Sequence, residues 1–408
     1  MNPFRLIDSL KWLMMLCAML GNAQAWSHGA ARQVENGNDR AIVFPDTANY
    51  KTMVVDLHTH SVFSDGHVWP KIRVEEALRD GLDALAITEH LEYQPHRANI
   101  PHADRNTAFH EASEAAKDSD LIVIAGSEIT REFPTGHVNA VFLEDANKLL
   151  QVDAPPADNA DVRAYYEAAN TWPAQNAIDA ANEQRAFVFW NHPYWTAQQK
   201  DGLARMNDFH KRNIKSDKLH GIEIANGRDY SAEAHQIALD HDLTLIGVSD
   251  VHDLIDWDYP PHGDNPAHRP VNLVLASERS ADAIRDALFA GRTLVWFRDL
   301  LIAREPEMAA MLAASLEVTD AAYQGDTKVL DITINNSSDA DFRLKNTTDM
   351  TFMHFADQIE IPAHGSLRLR VKPGSIVEKL DLQFEVLNAL IAPRKTATIT
   401  LPVEIGND

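Results

Sequence analysis

Short apolar runs rich in branched residues recur along the first three quarters of the chain, and segments with helical periodicity separate most of them. Continuous apolar strands that alternate with helices are typical of a parallel sheet covered on both faces. So many strand and helix repeats favour a barrel. We predict strands at residues 53–60, 82–90, 121–130, 137–143, 186–193, 221–227, 243–252 and 271–276. The sequence therefore predicts an α/β barrel over residues 45–304.

The pattern changes near residue 305. A short helical connector over residues 301–314 is followed by runs in which apolar and polar residues alternate, separated by turn residues such as Pro373-Gly374. This alternation indicates strands with one buried face, and several such strands in succession are typical of a sandwich. We predict a small all-β sandwich domain over residues 315–408.

The charge of the chain limits its partners. The formal net charge is −23, whereas binding to nucleic acid or to an anionic membrane surface requires a basic face. We therefore expect no nucleic-acid partner. A small anionic substrate would have to be held by local positive charge, for which bound metal ions are one source. The sequence leaves the oligomeric state open.

The first 25 residues have the features of a secretory signal peptide. Arg5 and Lys11 accompany an apolar run over residues 12–20, and an Ala-Gln-Ala pattern at residues 23–25 provides a cleavage site. The run is too short to span a bilayer, so we expect no stable membrane insertion, with an uncleaved anchor as the alternative. Cys17 is the only cysteine, so a chain cut after residue 25 can form no disulfide. We expect a periplasmic or secreted protein.

Polar side chains stand at the ends of the predicted barrel strands. Active sites of barrels are built where the strands end, so residues distant in sequence converge there. Imidazoles and carboxylates buried together would cost several kcal/mol without a cation, and both are common metal ligands. The candidate ligands are His58, His60, Asp65, His90, Glu128, His137, His192, Asp250 and His252, with His67 as an alternative to Asp65.

Six short motifs, in order, resemble those of the polymerase and histidinol phosphatase (PHP) superfamily of metal-dependent phosphoesterases. They are DLHTHSVFSDG, ITEH, GSEIT, GHVNAV, WNHPYW and GVSDVH, within residues 50–300. Their order is far more specific than any one of them. The phrase FEVLNALIAP in the predicted β domain resembles a secreted branch of the superfamily that carries such a domain. The resemblance implies a distorted (β/α)7 barrel and two or three divalent ions. The mixture of nitrogen and oxygen ligands suits zinc, manganese or iron.

The resemblance also assigns the ligands to three sets. The first set is His58, His60, Glu128 and Asp250. The second set is Asp65, His90 and His252. The third set is Glu128, which bridges two ions, with His137 and His192. One residue departs from the family, which usually has an aspartate where this chain has Glu89, and we expect Glu89 to orient His90.

These residues predict an enzyme that hydrolyses small phosphate esters. A water that bridges two metal ions loses its proton near neutral pH and can attack phosphorus, while the ions and a nearby cation stabilise the developing charge. We expect His192 or His252 to protonate the leaving group, and Arg131 or Arg269 to supply the cation. Each arginine is equally compatible with a surface position.

Several alternatives remain open at this level. The same scaffold could cleave a carbamate or a carboxylic ester, since a fold does not fix the bond that is cleaved, or the chain could be a non-catalytic metal-binding module. Tyr194 and Trp195 could form a wall of the pocket or simply pack within a loop. His262 and His268, in the long loop 254–270, are predicted to be solvated rather than to bind phosphate.

Overall fold

The computed structural model describes residues 40–100, 103–158, 160–260, 262 and 267–406. The predicted signal peptide and its cleavage site lie outside these residues. The strands of the first region are β1 (Lys51–Asp56), β2 (Ala84–Ile87), β3 (Ile122–Ile129), β4 (Val138–Val141), β5 (Phe187–Trp190), β6 (Gly221–Asn226), β7 (Asp229–Tyr230), β8 (Thr244–Val248), β9 (Val271–Ala276), β10 (Thr293–Phe297) and β11 (Leu300–Ala303). The helices are α1 (Pro70–Arg79), α2 (Thr107–Ala116), α3 (Val162–Ala169), α4 (Ala174–Glu183), α5 (Asp208–Lys215), α6 (Ala232–Asp240), α7 (Ile255–Asp258), α8 (Ala281–Phe289) and α9 (Glu305–Ser315).

The sheet of this region is mixed rather than wholly parallel. β1, β2 and β3 pair in parallel, as do β5, β6 and β8. β4 runs antiparallel between β3 and β5 because residues 130–137, which connect β3 to β4, contain no helix to carry the chain back to the starting edge. β9 is antiparallel to β1. The predicted α/β architecture is confirmed, and the expectation of parallel pairing throughout is corrected at β4 and β9.

The sheet closes where β8 meets β1. The Asp250 N–H donates to the His58 carbonyl at 3.0 Å, and the His60 N–H donates to the Val251 carbonyl at 3.1 Å. These bonds extend β1 and β8 beyond their last strand residues and hold their carboxyl ends side by side. The segments that follow the two strands therefore share one mouth of the barrel.

Burial explains why the barrel strands contain so few polar residues. Every residue of β2, β5, β8 and β9 is buried, which accounts for sequences that are apolar except for Thr244 in β8 and Asn272 in β9. At Gly247 in β8, a Cβ atom would lie 2.2 Å from Val295 Cγ1 of β10, so glycine permits these strands to pack closely. The helices outside the sheet begin at defined caps, for example Ser280, whose hydroxyl accepts from the Ala283 N–H ahead of α8.

The C-terminal region forms two packed sheets. Its strands are β12 (Leu316–Tyr323), β13 (Leu330–Asn336), β14 (Phe342–Asn346), β15 (Thr351–Met353), β16 (Gln358–Ile361), β17 (Ser366–Lys372), β18 (Lys379–Ala392) and β19 (Lys395–Glu404). One sheet has the order β12-β13-β17-β15, and the other contains β16, β14, β18 and β19. The predicted all-β sandwich is confirmed.

The sandwich is continuous with the barrel. β18 pairs in parallel with β11, through Leu301 opposite Ala389 and Ile302 opposite Leu390. Leu301 also shares a hydrophobic core with Phe384 of β18, and the described residues from Arg40 onward form one compact unit. Among the described residues, no helix has the length and apolar character needed to cross a membrane.

Candidate metal centre

The candidate ligands predicted from the sequence come together at the mouth of the barrel. They lie at this mouth because the motifs place each one after a strand, directly before a strand or near the end of one. His58, His60 and Asp65 follow β1, His90 follows β2, Glu128 lies in β3, His137 precedes β4, His192 follows β5, and Asp250 and His252 follow β8. The side chains of His58, His60, His90 and Glu128 are buried, and the other five are partly exposed toward one pocket.

A first group is formed by His58, His60 and Asp250. The Nε2 atoms of the two histidines lie 3.0 Å apart. Asp250 Oδ1 is 3.1 Å from His58 Nε2 and 3.2 Å from His60 Nε2. Glu128 Oε2 lies 3.6 Å and 3.4 Å from the same two nitrogens. The structure thus assembles all four residues of the first predicted set around one point.

A second group is formed by Asp65, His90 and His252, together with His60. Asp65 Oδ1 lies 3.3 Å from His90 Nε2 and 3.2 Å from His252 Nε2. The same oxygen lies 3.9 Å from His60 Nδ1. The predicted second set is therefore brought together, with His60 at its edge.

The third group differs in one member from the predicted set. Glu128 Oε1 is 2.9 Å from His137 Nδ1 and 3.5 Å from His192 Nε2. The donor atoms close enough to share one ion belong to His90, Glu128 and His137. His192 lies beside this group, so its membership stays a prediction.

Buried polar atoms without partners show that the cluster suits cations. Asp65 Oδ1, Glu128 Oε2 and Asp250 Oδ1 are inaccessible to solvent, and none has a donor in hydrogen-bonding geometry. His192 Nδ1 is also buried without a partner. Ionised oxygens without donors are costly in a protein interior, and divalent ions would compensate them. The mixture of imidazole and carboxylate donors fits zinc, manganese or iron.

Neighbouring charges set the protonation of the imidazoles. Burial alone would lower the pKa of His58, but nearby carboxylates, with Asp250 the strongest, raise it well above the ordinary value. At His252 burial is likewise outweighed, chiefly by Asp65, and the pKa rises to about 9. At His60 burial and two neighbouring imidazoles lower the pKa to about 3. Without metal, protons on some of the histidines therefore balance the carboxylates.

The carboxylates of the cluster stay ionised. Burial would raise the pKa of Glu128, Asp65 and Asp250, but the surrounding imidazoles hold all three well below their usual range. Three carboxylate charges are thus directed at one cavity, in an arrangement that attracts cations.

Glu223 in β6 supports three of the candidate ligands and was not identified from the sequence. It is completely buried. Its Oε1 lies 2.7 Å from His58 Nδ1, and its Oε2 accepts from the His192 backbone N–H at 2.7 Å. Oε2 also accepts from the Asn226 side chain, which donates to Asp250 Oδ2 at 3.1 Å. A histidine held through Nδ1 presents Nε2 to a metal, so Glu223 fixes the orientation of His58.

Glu89 does not orient His90, as expected from the sequence, but supports His60. Its carboxylate accepts hydrogen bonds from the hydroxyls of Ser61 and Ser64 instead of contacting His90. Ser64 Oγ lies 3.2 Å from His60 Nδ1, so Glu89 orients His60 through this hydroxyl. His90 Nδ1 lies 2.7 Å from Thr130 Oγ1.

The two candidate arginines lie away from the described walls of the pocket. Arg269 is fully buried and binds Asp80 Oδ2 and Asp56 Oδ2, at 2.8 Å and 3.2 Å, so its predicted role at the phosphate is wrong. Arg131 is buried beside Glu92, with Nη2 2.8 Å from Glu92 Oε1, and its Nη1 donates to Asn170. Because its charge is already paired, a contact between Arg131 and substrate stays a prediction.

The remaining histidines singled out in the sequence lie outside the cluster. The His67 side chain is 64% exposed and faces Asp253, so it does not replace Asp65. His268 stacks on Trp296, with ring centroids 3.4 Å apart, which makes it a packing residue. His262 is exposed, as expected.

The cluster opens into a pocket of about 330 Å³. Tyr194 and Trp195 line it, in agreement with the first of the two interpretations of these residues. The other lining residues are Asp65, His90, Glu128, His137, His192, Thr196, Asn226, Asp229, Asp250 and His252. Seven of the nine candidate ligands therefore face a space that a small molecule can enter, whereas His58 and His60 lie beneath it.

Comparisons with known proteins agree with this architecture. Residues 56–212 match the PHP domain family and residues 316–402 match an Ig-like domain family. No curated protein matches the chain. The chain is similar to a two-domain protein from Bacteroides vulgatus that contains a predicted PHP-like metal-dependent phosphoesterase. The two share 36% identity over 89% of this chain and 98% of that one, with a TM-score of 0.78.

Two further solved structures are more distant. A protein from Bifidobacterium adolescentis has 20% identity over 57% of this chain and 95% of its own, with a TM-score of 0.37. An amidohydrolase from Chromobacterium violaceum has 16% identity over 52% of this chain and 90% of its own, with a TM-score of 0.33. The assignment rests on the Bacteroides protein, whose identity and nearly complete coverage include both domains. This chain belongs to the PHP family, in a two-domain form with a C-terminal Ig-like domain.

Proposed function

We propose that this protein is an exported metal-dependent phosphoesterase that hydrolyses small phosphate esters with two or three divalent ions. The observation that carries the proposal is the set of buried carboxylate oxygens without donors, which face imidazole nitrogens at the base of an open pocket. Divalent ions held there would supply Lewis-acid activation of the attacking water and of the phosphoryl oxygens. The Bacteroides relative contains a predicted phosphoesterase of the same family, which favours phosphate over other esters.

The residues of the chain have distinct tasks in this proposal. Glu128 directs its two carboxylate oxygens at different groups, Oε2 at the first and Oε1 at the third, so it is the residue that would be shared between two ions. A histidine whose Nε2 binds metal carries no proton on that atom. Among the described residues, His252 belongs to a compact ligand group and His192 to none. His192 is therefore the better donor of a proton to the leaving alcohol.

The test is hydrolysis with known metal content. The mature protein is stripped with chelator and reloaded separately with zinc, manganese or iron, and metal per chain is measured by elemental analysis. Release of p-nitrophenol is then measured from p-nitrophenyl phosphate, bis(p-nitrophenyl) phosphate and p-nitrophenyl acetate. Because the three substrates share this leaving group, their rates distinguish monoesterase, diesterase and carboxylesterase activity. Metal-dependent cleavage of a phosphate ester is expected. The proposal would be rejected if the protein cleaved only the acetate, or if it cleaved none of the three esters with its metal sites filled.

The export part of the proposal rests on the N-terminal sequence and has its own test. Cleavage after residue 25 predicts a mature chain that begins at Trp26. Intact mass of the protein recovered from the periplasm or medium decides this. A chain that retains residue 1 would contradict it.

A further inference from the structure

A second cavity, of about 580 Å³, adjoins the metal pocket. The two cavities share Asp65, His90, His137 and Trp195. The second cavity is also lined by Tyr93, Thr130, Glu132, Val162, Arg163, Tyr166, Ala197 and Gln198. We call it the aromatic groove because three large aromatic side chains, Tyr93, Tyr166 and Trp195, line it. A molecule held at the metal ligands can extend directly into this groove.

The three aromatic side chains lie next to the candidate ligands. The Tyr93 ring lies 6.0 Å from the His90 ring and 6.0 Å from the Tyr166 ring, in edge contact with both. The Trp195 ring lies 5.6 Å from the His137 ring. Trp195 is 46% exposed, so much of this large indole is open rather than packed in the core. Aromatic surface left open beside a catalytic cluster is suited to bind a ring of the substrate.

The charge of the groove favours an uncharged ring. Arg163 is its one described cation, and its Nε is 2.8 Å from Glu167, with which it forms an exposed pair. Glu132 adds an exposed carboxylate. Burial and the charge of Glu132 raise the pKa of Tyr166, so its phenol stays neutral. None of these features recruits a second phosphate.

We propose that the aromatic groove binds the alcohol part of the substrate, and that this part carries a flat, uncharged aromatic or heterocyclic ring, as in a nucleoside. This inference rests on the proposed function. In the reaction, a water oxygen forms the new bond to phosphorus while the ester bond breaks. The ring-bearing alcohol leaves with one proton, and inorganic phosphate remains at the ligand cluster.

The first test measures binding without turnover. Adenosine carries a base where ribose, used as its methyl β-furanoside to fix the same sugar ring, carries a small methoxy group. Adenosine is expected to bind the metal-loaded protein at least tenfold more tightly by titration calorimetry, from the usual strength of base stacking of about 1–3 kcal/mol. Tyr166→Ala is the informative variant because Tyr166 contacts Tyr93 and no candidate ligand ring. It should weaken adenosine binding about fivefold or more, while Tyr166→Phe retains the ring and the affinity. Phe355→Ala, at an exposed phenylalanine of the Ig-like domain, is the matched control and should change nothing.

The second test measures turnover of a matched pair. Adenosine 5′-monophosphate and ribose 5-phosphate share the same primary ester, so a difference in their KM reports the ring and not the reactivity of the leaving group. Wild-type protein should show the lower KM for the nucleotide, and Tyr166→Ala should remove this preference by raising the KM for the nucleotide more than the KM for ribose 5-phosphate. Equal binding of adenosine and ribose by the wild type, or an equal loss for both esters in Tyr166→Ala, would overturn the inference. Adenosine binding without hydrolysis of any phosphate ester would instead reject the proposed function and retain the ring site.

Discussion

Glu223→Gln is the substitution that most directly tests how the metal centre is held. The change keeps the size of the side chain but replaces one acceptor oxygen by an NH₂ donor. Glu223 receives donors on both oxygens, from His58 Nδ1 on one and from the His192 and Asn226 N–H groups on the other. A glutamine can satisfy only one of these two sides. Whichever way the amide turns, its NH₂ group faces a donor.

The expected magnitude follows from the two orientations. If the NH₂ group faces His58, the proton on Nδ1 must move to Nε2, which is the atom directed at the first ligand group. If it faces the His192 backbone, a buried N–H loses its acceptor, at about 1–3 kcal/mol. Supporting residues of this kind typically contribute 10–100-fold to metal affinity, or about 1.4–2.7 kcal/mol. We therefore expect a fall of this size in metal affinity.

The assay is competition with a chromogenic chelator, which gives the metal affinity, alongside thermal unfolding with and without chelator. Asp331→Asn is the matched control. Asp331 is also a buried carboxylate, accepts from Arg368 and Arg370 in the Ig-like domain, and takes the same change of carboxylate to amide. The control should lose stability but retain metal affinity. Wild-type metal affinity in a folded Glu223→Gln protein would refute this account of the centre.

Three other changes have defined outcomes. Glu128→Gln should lower bound metal by more than one ion per chain and His137→Ala by about one, each with a loss of phosphatase activity on the order of a hundredfold; unchanged metal content by elemental analysis would contradict the bridging role. Burial lowers the pKa of His210 from its ordinary value near 6.5 to about 4. As the pH falls through this range, His210 takes up a proton in the unfolded state but not in the folded state. Up to about 3 kcal/mol of stability is lost in this window; His210→Gln should flatten the decline in urea unfolding, and an unchanged pH profile would count against this assignment. A chain ended after Ala303 should lose solubility and melt earlier by calorimetry although it keeps every candidate ligand, because β11 loses its pairing with β18; wild-type melting would show that the pairing contributes little.

The candidate ligands could be predicted because each lies after, before or near the end of an apolar run, and the geometry of a barrel brings strand ends together. The antiparallel β4 was also predictable in principle, since residues 130–137 are too short to contain a crossover helix. Glu223 had a signal as well. A single carboxylate in an otherwise apolar strand must have a partner if it is buried, and the run 221–227 contains such a residue.

Other features depend on contacts that no local pattern contains. The buried Arg269 pairs with Asp56 and Asp80, which lie 213 and 189 residues earlier in the chain. An isolated arginine ahead of a strand gives no indication of such partners. The pairing of β18 with β11 is likewise set by the three-dimensional arrangement. It makes the Ig-like domain part of the barrel sheet rather than a separate attachment.

Two residues of the candidate cluster have strained backbone conformations that hydrogen bonds to neighbouring groups hold in place. His192 and Asp250 have positive φ angles, of 24° and 51°, and a non-glycine residue held there typically costs about 1–3 kcal/mol. Each strained residue has its N–H fixed in place, His192 by Glu223 Oε2 and Asp250 by the His58 carbonyl. Without those acceptors both residues could relax toward extended backbone and turn their side chains out of the cluster. The geometry of the candidate cluster is thus maintained by hydrogen bonds to groups outside it, and Glu223 stabilises both His58 and one of the two strained positions.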